Sequence, residues 1–262
     1  MQERGIPMSD FVQRSSIVRR IWGDGDTILL VFAGGAAEFA LNRAVDWLFF
    51  TGALPRDPIG RLFSTAAFAQ DIVFADQETA QRTLNRIRAI HQTVEQQRGG
   101  RIPDWAHRDV LYMLIDYSER AHALLHRALT GAEREELYSV FRRVGSGLGI
   151  PDLPATYTEW QQDRERHLEH DLTPSPLTRE LYARSRHHLG PWRFRLLLQV
   201  QSILVPQHVA ALLGMSPASW LRRAIPFYRS LVRVGLRPLI RGALLPTRYI
   251  PEVRRLDQAI PI

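Results

Sequence analysis

Leu84-Asn85-Arg86-Ile87-Arg88-Ala89-Ile90-His91-Gln92-Thr93-Val94 is the stretch from which the fold can be read. Leu84, Ile87, His91 and Val94 recur at steps of three and four, which places them on one face of an α-helix. The same step returns along the rest of the chain, and strand signals are weak throughout. The expected fold class is all-α, with roughly nine to twelve helices. Within that apolar stripe His91 stands out. A buried imidazole needs a partner, because an unsatisfied polar group costs free energy. A backbone carbonyl, a carboxylate or a metal would each serve.

Start and stop signals divide the chain on either side of this helix. Asp76 is placed to cap it, and it fades into Gln96-Gln97-Arg98-Gly99-Gly100. Upstream, Asp57-Pro58 opens a helix with an acidic cap and proline at the first helical position, carrying Arg61, Thr65, Phe68, Ile72 and Val73. Earlier still, Ser15 to Arg20 reads as a short helix followed by the turn Gly23-Asp24-Gly25-Asp26. Asp26 is expected to cap a helix starting at Thr27, breaking or bending near Gly34-Gly35, continuing to about Phe50 and stopping at Gly52. Downstream, Arg101 to Trp105 reads as a loop and Ala106 to Leu129 as a long helix, with Leu111, Leu114, Ser118, Ala121 and Leu125 on its buried face. Thr130-Gly131-Ala132-Glu133 has the spacing of a capping box. Pro151-Asp152-Leu153-Pro154 is a rigid connector, after which helices are expected from Thr156, from Thr178 to His188, from Pro191 to Leu204 and from Pro206 to Leu213.

The expected organisation is one helical domain over 1–262, with a core at about 15–205 and a basic helical extension at 206–262. The extension contains Trp220-Leu221-Arg222-Arg223, Leu231-Val232-Arg233 and Leu239-Ile240-Arg241. Such a pattern suits packed helices or an amphipathic surface lying on an anionic membrane.

Composition narrows the chemistry. With 262 residues, 45% of them hydrophobic, the chain can bury a substantial core. It has no cysteine, which excludes disulfides, thiolate ligands, iron–sulfur clusters and cysteine nucleophiles. Iron held by this protein must use histidine, tyrosine or carboxylate. The net charge of +7 permits an anionic partner. Neither zinc-finger spacing nor an aromatic–basic RNA-binding signature is present, so no nucleic-acid partner is expected. Met1 to Arg14 lacks the apolar core of a secretory signal. The most apolar stretch, Thr27 to Pro55, is interrupted by Glu38, Arg43 and Asp46 and falls short of the ~20 uninterrupted apolar residues of a membrane span. A soluble, cytoplasmic chain is the expectation.

Phosphate loops, nucleophile elbows and His-Glu-x-x-His zinc helices are all missing from the sequence. Glu119-Arg120-Ala121-His122 is a single copy of an arrangement that di-iron bundles use twice. His122 and His126 stand four apart, but one helical turn supplies at most two ligands. The same limit applies to His167 and His170 beside Glu165 and Glu169, and His187-His188 diverge on a helix. A better constellation spans two helices. Arg61 and Thr65 lie one turn apart on the first, and Arg88 and His91 three apart on the second. A haem needs an imidazole, cationic or hydroxyl groups near its faces and propionates, and apolar walls. Phe68, Ile72, Leu84, Ile87 and Val94 could supply the walls.

These residues carry a family resemblance. Ser16-Ile17-Val18-Arg19-Arg20-Ile21-Trp22-Gly23-Asp24 and Leu29-Leu30-Val31-Phe32-Ala33-Gly34-Gly35 resemble the start of the family containing the mycophenolic-acid oxygenase B and the rubber oxygenase latex clearing protein. Further similar blocks follow in order: Asp57 to Thr65, Val73-Phe74-Ala75-Asp76, Arg86 to His91, and Gly147 to Tyr157. The resemblance spans about 15–200. It implies a globin-like helical core with additional N- and C-terminal helices, holding haem b. It also implies oxidative cleavage of carbon–carbon double bonds in a small, apolar, isoprenoid substrate by dioxygen. The family's axial histidine, in an Arg-x-x-His helix, maps onto His91, and the arginine of that motif onto Arg88. The distal-side arginine and threonine of the rubber-cleaving branch map onto Arg61 and Thr65, and Ser64 stands where that branch has lysine. The chain departs from the pattern at Met113-Leu114-Ile115-Asp116-Tyr117, where many relatives carry Trp-Val-His-Ala-Thr, and at Leu41-Asn42-Arg43, where many carry Ala-His-Pro.

The expectation is a haem b oxygenase in which His91 ligates iron and Arg61 and Thr65 stabilise negative charge developing on oxygen. Two alternatives stand beside it. One is a non-enzymatic haem or lipid carrier. The other is a non-haem iron oxygenase built on Glu119, His122 and another histidine.

Overall fold

The computed structural model describes residues 9–52, 56–216 and 219–258; the expectation about the first residues rests largely on 1–8, outside them. Among the described residues there are fourteen α-helices, one short 3-10 turn and no strand, so the fold is all-α. No described helix is long and apolar enough to cross a membrane.

The first helix, α1 (Ile17–Trp22), is capped by the Ser16 hydroxyl. Helix α2 (Gly25–Phe39) begins earlier than expected, because the cap is Asp24, whose carboxylate accepts from the backbone of Asp26 and Thr27. Asp26 is instead buried in the first turn and tied to Arg241 at 2.6 Å. The Gly34-Gly35 pair does not break this helix, which runs through it. A Cβ built on Gly34 would lie 2.3 Å from the Tyr117 ring, so the glycine is there to admit a neighbouring helix. Chain reversal comes later, at Asn42, whose side chain binds the Ala44 amide and donates to Asp109 at 2.6 Å. The separate helix α3 (Val45–Phe50) follows.

Helices α4 (Pro58–Val73) and α5 (Gln77–Arg98) are capped by Asp57 and Asp76, as expected, and Gly99 ends α5 at φ 72°. Helix α6 (Asp104–Leu125) starts two residues before the expected position, at the end of Arg101-Ile102-Pro103, and stops at His126. Capping boxes open α7 (Gly131–Gly147) and α8 (Tyr157–His170). Then come α9 (Pro176–Leu189), α10 (Pro191–Leu204), α11 (Gln207–Leu212), α12 (Leu221–Arg233), α13 (Arg237–Leu244) and, after the 3-10 turn Thr247–Tyr249, α14 (Ile250–Leu256).

The core is built around α2 and α6, which share the most extensive helix contact, with α10 and α14 also on α2. Trp22 sits fully buried between α1 and this pair, edge-on to Phe32, and donates to Ser118 at 3.2 Å. Helix α4 packs on α5, and α5 on α7. One charged network crosses the interior. Arg164 donates to both oxygens of Glu38 at 2.5 Å, also meets Asp116 at 3.1 Å, and Tyr117 completes the group by donating to Glu38. Burying these charges is tolerable only because each is paired. The family departure at Asp116-Tyr117 thus lies within a satisfied internal network, and the one at Asn42 within a second.

Candidate functional site

Helices α4 and α5 pack side by side, and α6 follows α5 after the short connection from Gly99 to Pro103. Their packing brings His91 of α5 beside His107 of α6, with ring centroids 4.9 Å apart and planes tilted by 35°. Both imidazoles are partly buried. Neither ring makes a hydrogen bond among the described residues, so their nitrogen lone pairs are uncommitted. Burial, then the positive charges of His107 and Arg61, hold the pKa of His91 at about 4. Burial also lowers that of His107. Glu95 acts on both rings in the opposite sense, while its carboxylate fixes the α5–α6 connection by accepting from the Ile102 amide at 2.8 Å.

Arg61, near the start of α4, is partly buried and meets only Ser64, at 3.3 Å; no carboxylate pairs with it among the described residues. Thr65 donates to the carbonyl of Arg61 at 3.1 Å, along its own helix. Arg88 is exposed and points elsewhere: its Nε would be 3.8 Å from a Cβ built on Gly149, beyond the end of α7. The structure therefore gathers His91, His107 and Arg61, with Thr65 one turn behind and Arg88 turned away. Of the expected apolar walls, Leu84 and Ile72 are buried in the core, Leu84 against Gly147, and Phe68 lies under Arg86.

These residues fit a haem in donor chemistry. An imidazole with a free lone pair beside Arg61, which has no carboxylate partner among the described residues, matches an iron with an anionic periphery. Exposed Ile90 and Val110 flank the histidine pair in sequence and add apolar surface. A cavity of about 540 Å³ lies on the other face of α4, lined by Phe63, Ala67, Gln70, Phe74 and residues of α14.

A second group of donors lies between α6 and α8. His167 Nδ1 faces a carboxylate oxygen of Asp109 and, at 2.9 Å, one of Asp171, and its Nε2 is 3.7 Å from Asp163. Ligand atoms of Asp109, His167 and Asp171 lie within 4.8 Å of one another and could hold a metal that prefers nitrogen and oxygen. Burial works against the His167 cation, but Asp109, Asp163 and Asp171 raise its pKa. By contrast, Glu119 is committed to Arg134 at 2.6 Å and Tyr157 at 2.7 Å. His122 stacks on His126, with centroids 4.8 Å apart. The Glu119–His122 set is not assembled.

The chain matches the family described as ER-bound oxygenase mpaB/B'/Rubber oxygenase, catalytic domain, over residues 19–235. It belongs to this family. No curated protein and no solved structure matches it. As a member of the mpaB/rubber oxygenase family, the chain carries an oxygenase catalytic domain. Helices α1 to α12 fall wholly or largely inside the matched region, and so do both donor groups. His107 was not singled out from the sequence of this family member. Counting back four residues from Leu111 reaches it, so the stripe on α6 held the signal; its meeting with His91 depends on how two helices pack.

Proposed function

We propose that this member of the mpaB/rubber oxygenase family is a haem b-dependent oxygenase that cleaves the double bond of an apolar, isoprenoid-type alkene. The observation that carries the reading is the His91 imidazole, free of hydrogen bonds and beside the unpaired Arg61. Bound haem supplies dioxygen activation. His91 would hold the iron through a ring nitrogen, and it needs no deprotonation to present its lone pair. His107, tilted against it at 4.9 Å, limits how its ring can turn. Arg61 would offer its positive charge to an anionic centre held beside His91, and Thr65 a hydroxyl on the same face of α4. Arg88, turned toward Gly149, has no direct part in this arrangement. Ile87, Ile90 and Val110 offer an apolar approach for a substrate without charge of its own.

The test is oxygen uptake and carbonyl product from a polyisoprenoid alkene, with haem-supplemented and haem-free protein. Oxidative cleavage yields two carbonyl ends for each double bond consumed. The haem-loaded protein is expected to turn over, and Arg61→Ala to lower kcat by about 10²-fold, the usual cost of removing a donor that stabilises developing negative charge. Stoichiometric haem without turnover would favour the carrier. A second reading places non-haem iron at Asp109, His167 and Asp171, favoured by the convergence of those three donors. Iron without haem, together with turnover lost in His167→Ala and kept in His91→Ala, would establish that reading instead.

A further inference from the structure

Between Glu180 and Glu252 the chain has no acidic residue, yet it carries eleven arginines: Arg184, Arg186, Arg193, Arg195, Arg222, Arg223, Arg229, Arg233, Arg237, Arg241 and Arg248. The structure sorts those of α12 and α13 into two sets. Arg229, Arg237 and Arg241 face inward. Arg229 donates to the carbonyls of Ala123 and Leu124 at the end of α6, and Arg237 and Arg241 pair with Asp24, Asp26 and Asp257. Tyr228 adds a hydrogen bond to Asp26. These ties fix the inner side of the two helices to α2 and α6. Arg222, Arg223 and Arg233 are exposed, and their side chains make no hydrogen bond or ion pair among the described residues.

The outer side also exposes large apolar groups. Trp220, Phe227 and Val234 are 62%, 67% and 71% exposed. They stand seven residues apart, about two helical turns each, and so follow one side of α12 from its N-cap, Trp220, through Phe227 to its C-cap, Val234. Leu239 on α13 is 71% exposed, and Leu236 and Leu244 are also exposed. A monomeric surface seldom presents so many apolar side chains together without a use for them. An aqueous or nucleic-acid partner would match the arginines and leave Val234 and Leu239 without a role. A bilayer of anionic phospholipid matches both: headgroups pair with guanidinium groups, and the acyl boundary accepts aromatic and aliphatic side chains.

We infer that the outer face of α12 and α13 docks the protein onto an anionic phospholipid bilayer. Trp220, Phe227, Val234 and Leu239 enter the interface, while Arg222, Arg223 and Arg233 hold the headgroups. This inference stands apart from the haem reading, since none of its residues belongs to the site around His91.

The experiment is sedimentation of the full chain with vesicles of phosphatidylcholine alone or mixed with phosphatidylserine, at low and high salt. Binding is expected to require phosphatidylserine and to weaken as salt rises. Replacing Arg222, Arg223 and Arg233 together by glutamine should lower partitioning roughly a hundredfold. Phe227→Ser should weaken binding with the arginines intact. Unchanged helical circular dichroism in both variants separates these effects from misfolding. No binding to anionic vesicles would overturn the inference, as would binding that ignores both sets of substitutions. Binding insensitive to Phe227→Ser and abolished by competing RNA would reassign the face to nucleic acid.

Discussion

At the scale of the residue, the histidines differ by what surrounds them. His91 and His107 keep free ring nitrogens, with Arg61 acting on His91, whereas His167 is saturated by carboxylates. His122 is a third case. It is buried, and its Nδ1 has no hydrogen-bond partner among the described residues. Burial first, then the charges of His126 and Arg127, depress its pKa to about 4. The folded state therefore favours the neutral ring. That contribution to stability is fully present above the unfolded value of about 6.5 and is lost as pH falls from there toward about 4. His122→Asn should consequently lose less stability than the wild type between pH 7.5 and pH 5, measured by urea midpoints at the two pH values. An equal loss in both proteins would contradict this environment for His122. The sequence singled out His91 because a lone imidazole interrupts an apolar stripe. It could not separate His122 from His107, because what distinguishes them comes from neighbouring helices.

At the scale of the element, helix starts were legible wherever a local cap sets them. Asp57-Pro58, Asp76, Thr130 with Glu133, and Thr156 each satisfy backbone amides within their own first turn. Elements governed by distant contacts were not legible. The Gly34-Gly35 pair reads as a helix breaker, yet α2 passes through it because the Tyr117 ring occupies the space beside Gly34. The two glycines are correspondingly unequal. At Gly35 an added Cβ would lie 4.0 Å from the Tyr117 ring, an ordinary contact. Gly34→Ala should destabilise the protein by about 1–3 kcal/mol through overpacking. Gly35→Ala should stabilise it by up to about 1 kcal/mol through helix propensity. Denaturant titration of both variants checks the pair, and equal effects would contradict the packing of α6 on α2.

At the scale of the whole molecule, the all-α class was legible from periodicity, and the family from an ordered set of short motifs that the match over 19–235 confirms. The arrangement of charge was only half legible. The sequence displays the arginine excess of the C-terminal third, but the division into inward pairs with Asp24, Asp26 and Asp257 and an outward basic, apolar face exists only in the folded chain. The site has the same character. His91, Arg61 and Thr65 were each identifiable along the chain, while the meeting of His91 with His107 and the turning of Arg88 toward Gly149 required three dimensions. The central claim is that His91 holds haem, and the direct measurement is the absorption spectrum of the purified, haem-supplemented protein beside that of His91→Ala. A strong Soret band in the wild type that is lost in His91→Ala, with unchanged helical circular dichroism, is the predicted result. An identical Soret band in both proteins, or none in the wild type, would contradict it.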